Sequence, residues 1–346
     1  MAEATHRKIY QLKAGNIKRL KIANDILEAP GPHEVQVAIK SIGLNFADLY
    51  AIWGLYSATP KGMFVPGLEY SGTITKVGKN SSYNVGQDVM GITKFGAYAT
   101  HLNIDSRYVV PLPTHWDFDE GAAYLVQAMT AYYALVILGE LHAGQKVLIH
   151  SAVGGVGLYA NQIAKKMGAY TIGTTGSPAK LELIKSAGYD KGLVRSRSFK
   201  HDVRQATDDG TVDLILECIG GRILREGFEL LAPEGRMVVY GAAQFTSPSD
   251  RPNYFKLIYL FLTRPKIDPL QLPNTNRALL GFNLIWLYNR VEKMHLMIKA
   301  LEDLDLSKPK IGNIYGFDEL PDAIRMLRSG KTSGKVIVKV SPSHKS

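Results

Sequence analysis

Lys146-Val-Leu-Ile-His-Ser-Ala-Val-Gly-Gly-Val-Gly-Leu-Tyr-Ala-Asn-Gln-Ile-Ala-Lys-Lys-Met-Gly168 reads as an apolar strand, a glycine turn and an amphipathic helix in unbroken succession. That order makes a phosphate cradle. The first amides of a helix have no intrahelical acceptor and sit at the positive end of its dipole, so a pyrophosphate can rest there without a basic side chain. The spacing Ala152-x-Gly154-x-x-Gly157 is a dinucleotide fingerprint with alanine in first place, which stays small but gives up easy access to positive φ. Gly154, Gly155 and Gly157 keep side chains out of the cradle.

Upstream, from Ile9 to about Asn103, turn-forming residues punctuate short strand patterns at Lys18–Ile22, Glu34–Ile42, Tyr70–Val77, Val89–Ile92 and Tyr98–Asn103. A helical pattern of small and aromatic residues at Asp119–Gly139 suits a buried bridge. Downstream, candidate strands at 146–150, 170–174, 192–194, 212–217 and 235–240 alternate with helices near 158–167, 178–187, 199–207 and 223–231, which predicts a parallel sheet with right-handed crossovers. The tail reads helix (about 291–301), strand (311–315), helix (320–327), strand (335–340), and is expected to return to the first domain. No internal repeat or low-complexity segment is present.

A chain of 346 residues with 46% hydrophobic and 21% charged residues has an ordinary globular composition and room for two domains. Its net charge of +10 is dispersed, without an arginine-rich tract, so no nucleic-acid role is expected. Attraction of an anionic cofactor, or weak peripheral attraction to an acidic membrane surface, accounts for the excess more simply. Cys218 is the single cysteine, which excludes an intrachain disulfide and multi-thiolate zinc sites. It extends the strand 212–216 and reads as a buried, inert thiol. The stretch Met1–Lys13 is polar and has no apolar core segment, so no secretory leader is expected, and the apolar run Tyr254–Leu262 is about half of the ~20 residues a membrane span needs. The expected location is cytoplasmic.

A site selective for NAD places Asp or Glu about 20 residues past the glycine turn, on the ribose hydroxyls. Here that place reads Thr171-Ile-Gly-Thr-Thr-Gly-Ser-Pro-Ala-Lys180, with no carboxylate before Glu182. Thr174, Thr175 and Ser177 offer hydroxyls and Lys180 can reach back toward a 2′-phosphate, so the expected cofactor is NADP(H). Ser177-Pro178 also serves as a plain helix cap.

With these motifs in view the chain resembles the medium-chain dehydrogenase/reductase superfamily, and within it the zinc-free quinone oxidoreductase group. Besides the glycine turn, the resemblance is carried by Gly43-Leu-Asn-Phe-Ala-Asp-Leu-Tyr50, Trp53-Gly-Leu-Tyr56, Pro66-Gly-Leu-Glu-Tyr-Ser-Gly72, Gly86-Gln-Asp-Val-Met90 and Gly334-Lys-Val336. Asn45-Phe-Ala-Asp48 and Asn276-Arg-Ala-Leu-Leu-Gly-Phe-Asn283 are similar to the vesicle amine transport protein 1 branch. The resemblance implies an α/β fold in which a doubly wound Rossmann sheet is inserted in a GroES-like, β-rich catalytic domain: residues 1–125 and 281–346 catalytic, 126–280 binding NADP. It implies no metal, since Asn45 and Leu68 stand where zinc-dependent relatives carry ligands. Residue by residue, Asn45 and Tyr56 face the nicotinamide end as the candidate catalytic groups, with Gln127 and Thr130 nearby. Gly154, Gly155 and Val156 cover the pyrophosphate, and Thr175, Ser177 and Lys180 surround the 2′-phosphate. Arg195 stands where relatives often have a tyrosine near that phosphate. Gly241, Phe282 and Asn283 approach the nicotinamide, and Lys335 closes over the cofactor. Homodimerisation is implied by the resemblance alone.

Neither a metal to polarise an alcohol nor a Tyr-x-x-x-Lys dyad is evident, so the expected reaction is hydride transfer from NADPH to a quinone or to the β-carbon of an α,β-unsaturated carbonyl, with Tyr56, a ribose hydroxyl or water bonding the developing oxyanion. Each residue has a plainer use: Asn45 can bond a turn, Gln127 a helix end, Tyr56 can pack, Arg195 can be solvated, and His150 can cap the sheet end. Two other readings stay open. One is an NADP-binding regulatory or membrane- and lipid-associated protein with weak or no catalysis. The other makes Tyr254–Leu262 a dimer interface or a lid.

Overall fold

In the computed structural model, which describes residues 4–340, eight strands precede the helical bridge: β1 (Thr5–Lys13), β2 (Lys21–Leu27), β3 (Glu34–Gly43), β4 (Met63–Phe64), β5 (Glu69–Val77), β6 (Asp88–Ile92), β7 (His101–Asp105) and β8 (Val109–Pro111). β1 pairs antiparallel with β2 and, at its end, with β4. β3 is the hub of the larger sheet, bonded to β5 along one edge and to β7 on the other. Two expected strands move. The side chain of Asn16 accepts from Lys18 N at 2.9 Å and caps a 3₁₀ turn at Ile17–Arg19, so the strand expected at Lys18–Ile22 starts only at Lys21. The one expected at Tyr98–Asn103 starts at His101, because Tyr98 and Ala99 instead bridge to β1 through Tyr10 N and Ile9.

The glycine turn opens the second unit. Strands β9 (Lys146–His150), β10 (Tyr170–Thr175), β11 (Lys191–Val194), β12 (Val212–Glu217), β13 (Leu231–Val239) and β14 (Ala278–Gly281) pair in parallel in the order β11-β10-β9-β12-β13-β14. This is the doubly wound order of dinucleotide-binding sheets, and it reverses between β9 and β12, where a crevice opens at the carboxyl ends of the strands. The helix Gly155–Lys166 returns along the sheet with Tyr159, Ala160, Ile163 and Ala164 buried. Lys165 and Lys166 complement the negative end of its dipole, and Gly168, at φ 77°, ends it in the left-handed conformation.

Strands β15 (Ile311–Gly316) and β16 (Lys335–Lys339) carry the chain back, β16 inserting between β15 and the Ser41–Gly43 end of β3. The bridge expected at Asp119–Gly139 is built from a turn of helix at Phe118–Gly121, a helix at Leu125–Tyr132 and a π-helical stretch at Tyr133–Leu138. Phe118–Leu138 is therefore a longer apolar stretch than Tyr254–Leu262. It has the length and hydropathy of a membrane span, but 72% of the window lies inside the protein, and it packs against the helices Gly155–Lys166 and Val291–Asp303.

A clasp joins the two units at Asp250. Its carboxylate takes Arg325 and Arg328, while its carbonyl accepts from Trp53 Nε1 and Ile17 N. The paired arginines hold that carboxyl down at about 2. Just beyond it, Tyr254–Leu262 is helical, capped by Asn253, and almost bare: Phe255 is 89% exposed and Leu262 70%.

Candidate functional site

At the crevice the left-handed step of the turn falls on Ser151 (φ 54°) and not on Ala152. Gly154 then caps the helix from an extended conformation, with no side chain bonded to the first turn. The glycines divide the labour unevenly. A Cβ on Gly155 would lie 1.9 Å from the end of the Gln127 amide and one on Gly157 2.6 Å from Ser151 O, so these two serve close packing. A Cβ on Gly154 would meet only Ser151 O, at 3.2 Å. Gly154, Gly155 and Val156 line a cleft of about 850 Å³ that runs between the two units. Uncapped helix amides, little side-chain bulk and a switch-point location fit a dinucleotide pyrophosphate. Gly334 bridges to Gly154, and its N–H donates to Val153 O at 2.9 Å, so the returning segment borders the same place.

Beside the cleft, β10 and β11 bring Thr174, Thr175 and Arg195 together. Arg195 Nη1 donates to Thr174 O (3.1 Å) and Oγ1 (3.0 Å), and Thr175 Oγ1 accepts from Ser177 N. Lys180 departs from the expected pose. Its ammonium donates to the carbonyls of Gly330 and Thr332, each at 2.7 Å, tying the loop before β16 to the Rossmann unit instead of reaching toward Thr175. Carbonyls in a loop 150 residues away outcompete an open pocket, and no local pattern announces them. Burial, then proximity to Arg195, lowers the Lys180 pKa, and burial lowers that of Arg195. Both cations thus stand at a corner without a carboxylate between Thr174 and Lys180.

The floor of the cleft is where the structure adds most. Lys335 is 2% exposed, and its Nζ donates to Glu69 Oε2 at 2.6 Å and to Asn45 Oδ1 at 2.9 Å. Gln127, with its amide turned to satisfy both neighbours, accepts from the same ammonium at 2.8 Å and donates to Ala123 O. Glu69 is completed by Val126 N and by Asn45 Nδ2. Three acceptors around a buried ammonium satisfy its three protons, the condition for holding a charge out of water. Asn45, which the resemblance placed where zinc-dependent relatives have a ligand, is here a ligand of that ammonium, and Leu68, at the second such place, has no donor atom. These residues do not fit a zinc ion, and among the described residues no three His, Cys, Asp or Glu side chains converge. Behind them, Asp48 accepts from Asn45 N at 2.8 Å as the third residue of the helix Phe46–Trp53. Burial, offset in part by Asn45 N–H, Lys335 and Tyr98 and reinforced by Glu69, pushes its carboxyl up to about 7.

Tyr56 hangs over the cleft and donates to Asn283 Oδ1 at 2.6 Å, while Tyr50 donates to Ala242 O at 2.9 Å. Burial raises the Tyr56 phenol, more than Asn283 lowers it, so it stays protonated. Thr130, Gly241 and Phe282 also line the cleft, the Thr130 hydroxyl donating back to Val126 O. Cys218 lines it too, its thiol raised by burial and then by Glu217. His150 does more than cap the sheet: fully buried, it bonds Thr174 Oγ1 and faces Glu217 at 3.1 Å across the strand ends. Asn45, Tyr56, Gln127, Thr130, Gly154, Gly155, Val156, Gly241, Phe282, Asn283 and Lys335 therefore share one cleft, with Thr175, Ser177, Lys180 and Arg195 at its flank. Sequence reasoning missed the Glu69–Lys335 pair as a unit. Its only signal was an acid in Gly67-Leu-Glu69 and a base in Gly334-Lys335, both in motifs already singled out.

Residues 31–114 match the alcohol dehydrogenase GroES-like domain family and residues 155–278 the zinc-binding dehydrogenase family. The rat synaptic vesicle membrane protein VAT-1 homolog is 32% identical over 319 residues, 91% of this chain and 78% of the relative. A quinone oxidoreductase from Pseudomonas syringae pv. Tomato DC3000 superposes with a TM-score of 0.83 at 26% identity, covering 96% of this chain and 100% of the other. A mycobacterial protein solved in complex with NADPH superposes with a TM-score of 0.84 at 25% identity over the same shares. With its β-rich GroES-like unit and its Rossmann sheet, the chain belongs to the medium-chain dehydrogenase/reductase superfamily, an oxidoreductase family, alongside the VAT-1 homologues and the quinone oxidoreductases.

Proposed function

We propose that this protein is an NADPH-dependent, zinc-independent reductase acting on a quinone or an α,β-unsaturated carbonyl. One observation carries the reading: uncapped helix amides and a polar floor locked around the Lys335 ammonium open onto the same cleft, between the two units. Bound NADPH would supply two electrons and a hydrogen as hydride. The chain's own part is placement and exclusion of water. Amides at Gly155 and Val156 hold the diphosphate, while Arg195 and Lys180 attract a 2′-phosphate that a carboxylate would repel. Lys180 would exchange a carbonyl for that phosphate. At the reacting end, reduction of an enone breaks its C=C π bond, moves the electron pair onto oxygen and calls for one proton. Tyr56, protonated and in the cleft, supplies a hydrogen bond there once it turns from Asn283.

Separate titrations with NADPH and NADH, followed by a screen of quinones and enones with the preferred one, test cofactor and reaction together. Tighter binding of NADPH and its oxidation by an acceptor are expected. Equal affinity for both dinucleotides would remove Lys180 and Arg195 from their role, and full turnover with an unchanged pH profile in Tyr56→Phe would remove the phenol.

A second reading, a dinucleotide-binding protein that works at a membrane surface with little catalysis, draws support from the mouth. The bare apolar helix Tyr254–Leu262 lies in a stretch, 251–299, holding eight Lys and Arg against two Asp and Glu. Co-sedimentation with anionic vesicles at low salt supports it, and the absence of binding overturns it.

A further inference from the structure

Resting on the reductase reading, we infer that the acceptor is an uncharged molecule with an unbranched alkyl chain, which lies from the catalytic floor out beneath the helix Tyr254–Leu262. Two properties of the cleft lead there. Among the described residues that line it, Lys335 is the only charged side chain, and its ammonium is already closed by Glu69, Asn45 and Gln127. A carboxylate or phosphate on the acceptor would therefore enter the cleft without a partner, at a large desolvation cost. The second property is continuity. Beyond Asn45 the wall includes the buried side chains Met129, Met294 and Met297, and it continues into Ile258, Phe261 and Leu262, whose exposure rises to 58%, 59% and 70%.

An apolar track that starts among buried side chains and ends in solvent suits a chain longer than the site's interior, with the reactive group at its buried end. Three methionines on the track supply unbranched, adaptable side chains that can follow a chain of varying conformation. The outer methylenes then lie against the helix Tyr254–Leu262, and the ligand covers apolar surface that the protein alone leaves in water.

A homologous series of 1-alken-3-ones from four to fourteen carbons, assayed by NADPH oxidation below their critical micelle concentrations, tests the inference. Each methylene added inside the track is expected to raise kcat/KM by about three- to fourfold, the hydrophobic increment for one buried CH₂, until the chain reaches the mouth and the gain stops. Turnover that is flat or falls between four and ten carbons overturns the inference while leaving the reductase reading intact. If no acceptor turns over, that reading fails, and calorimetric titration of saturated 3-alkanones into the protein with NADP⁺ decides the track alone: the same slope in Kd supports it, a flat series overturns it. Ile258→Asp and Phe261→Asp sit on the exposed helix, where folding does not depend on them. They are expected to penalise the ten-carbon substrate at least tenfold more than the four-carbon one, and an equal penalty removes the helix from the track.

Discussion

At the floor of the cleft, Lys335 has each of its protons engaged and is sealed from water, whereas at the mouth Phe255 is 89% exposed and caps nothing. Lys335 and the helix that carries Phe255 line one cavity, the helix through Leu257, Ile258, Phe261 and Leu262, yet opposite forces shape the two regions. The floor holds a charge by surrounding it with acceptors, so its geometry is over-determined. The mouth holds apolar surface that the chain itself leaves uncovered, so its geometry is constrained by little more than the cap at Asn253 and the bond from Lys256 to Thr246 O.

The sharpest way to break this contrast is Lys335→Met, which strands the Glu69 carboxylate away from water. A loss of about 3–5 kcal/mol in urea unfolding is expected, with most of it recovered in the Glu69→Gln/Lys335→Met pair, because a buried ion pair costs more to halve than to remove. A single variant as stable as the parent would show that the floor is not locked by charge. Next comes Asp48→Asn. With a carboxyl raised from about 3.8 to about 7, the folded protein binds more protons than the unfolded chain between those values, so stability falls as pH rises through that window. At ~1.4 kcal/mol per pKa unit the ceiling is about 4 kcal/mol. The asparagine variant should lose this slope, measured as Tm from pH 4 to 8, and a slope equal to the parent's would assign the titration elsewhere.

Gly155→Ala presses a methyl group into Gln127, one of the three acceptors of Lys335. A cost of about 1–3 kcal/mol is expected, together with at least tenfold weaker dinucleotide binding by fluorescence titration. The smallest effect belongs to the mouth: Phe255→Ser should change stability by less than about 0.5 kcal/mol. A larger loss would mean the helix is covered in solution.

The Rossmann unit was legible because its strands and helices are local and periodic, each carrying its own start and stop signals. β14 was the exception. Nearly forty residues separate it from β13, and Asn276–Asn283 stood out as a family motif without revealing that Ala278–Gly281 within it form an edge strand. In the first unit, strand boundaries slipped wherever a bond outside the strand decided them, as with Asn16 at one end and Tyr10 at another. Many of the residues singled out from motifs line one cleft. Its connectivity was not legible in them: Lys180 with Gly330, Lys335 with Glu69 and Tyr56 with Asn283 are contacts between residues 150 to 266 apart, and a spacing rule has no view of such pairs.

The position of β16 has a consequence for how the molecule is made. All six strands of the Rossmann sheet lie between residues 146 and 281, so that unit has its full complement of partners while the rest of the chain is still being synthesised. The first unit does not. Residues 41–43 of β3 wait for β16, and Glu69 remains an acid without its base until Lys335 emerges. Of the two units, the one translated first is thus the last to be completed, and the floor of the cleft closes only after the glycine turn beside it is already in place.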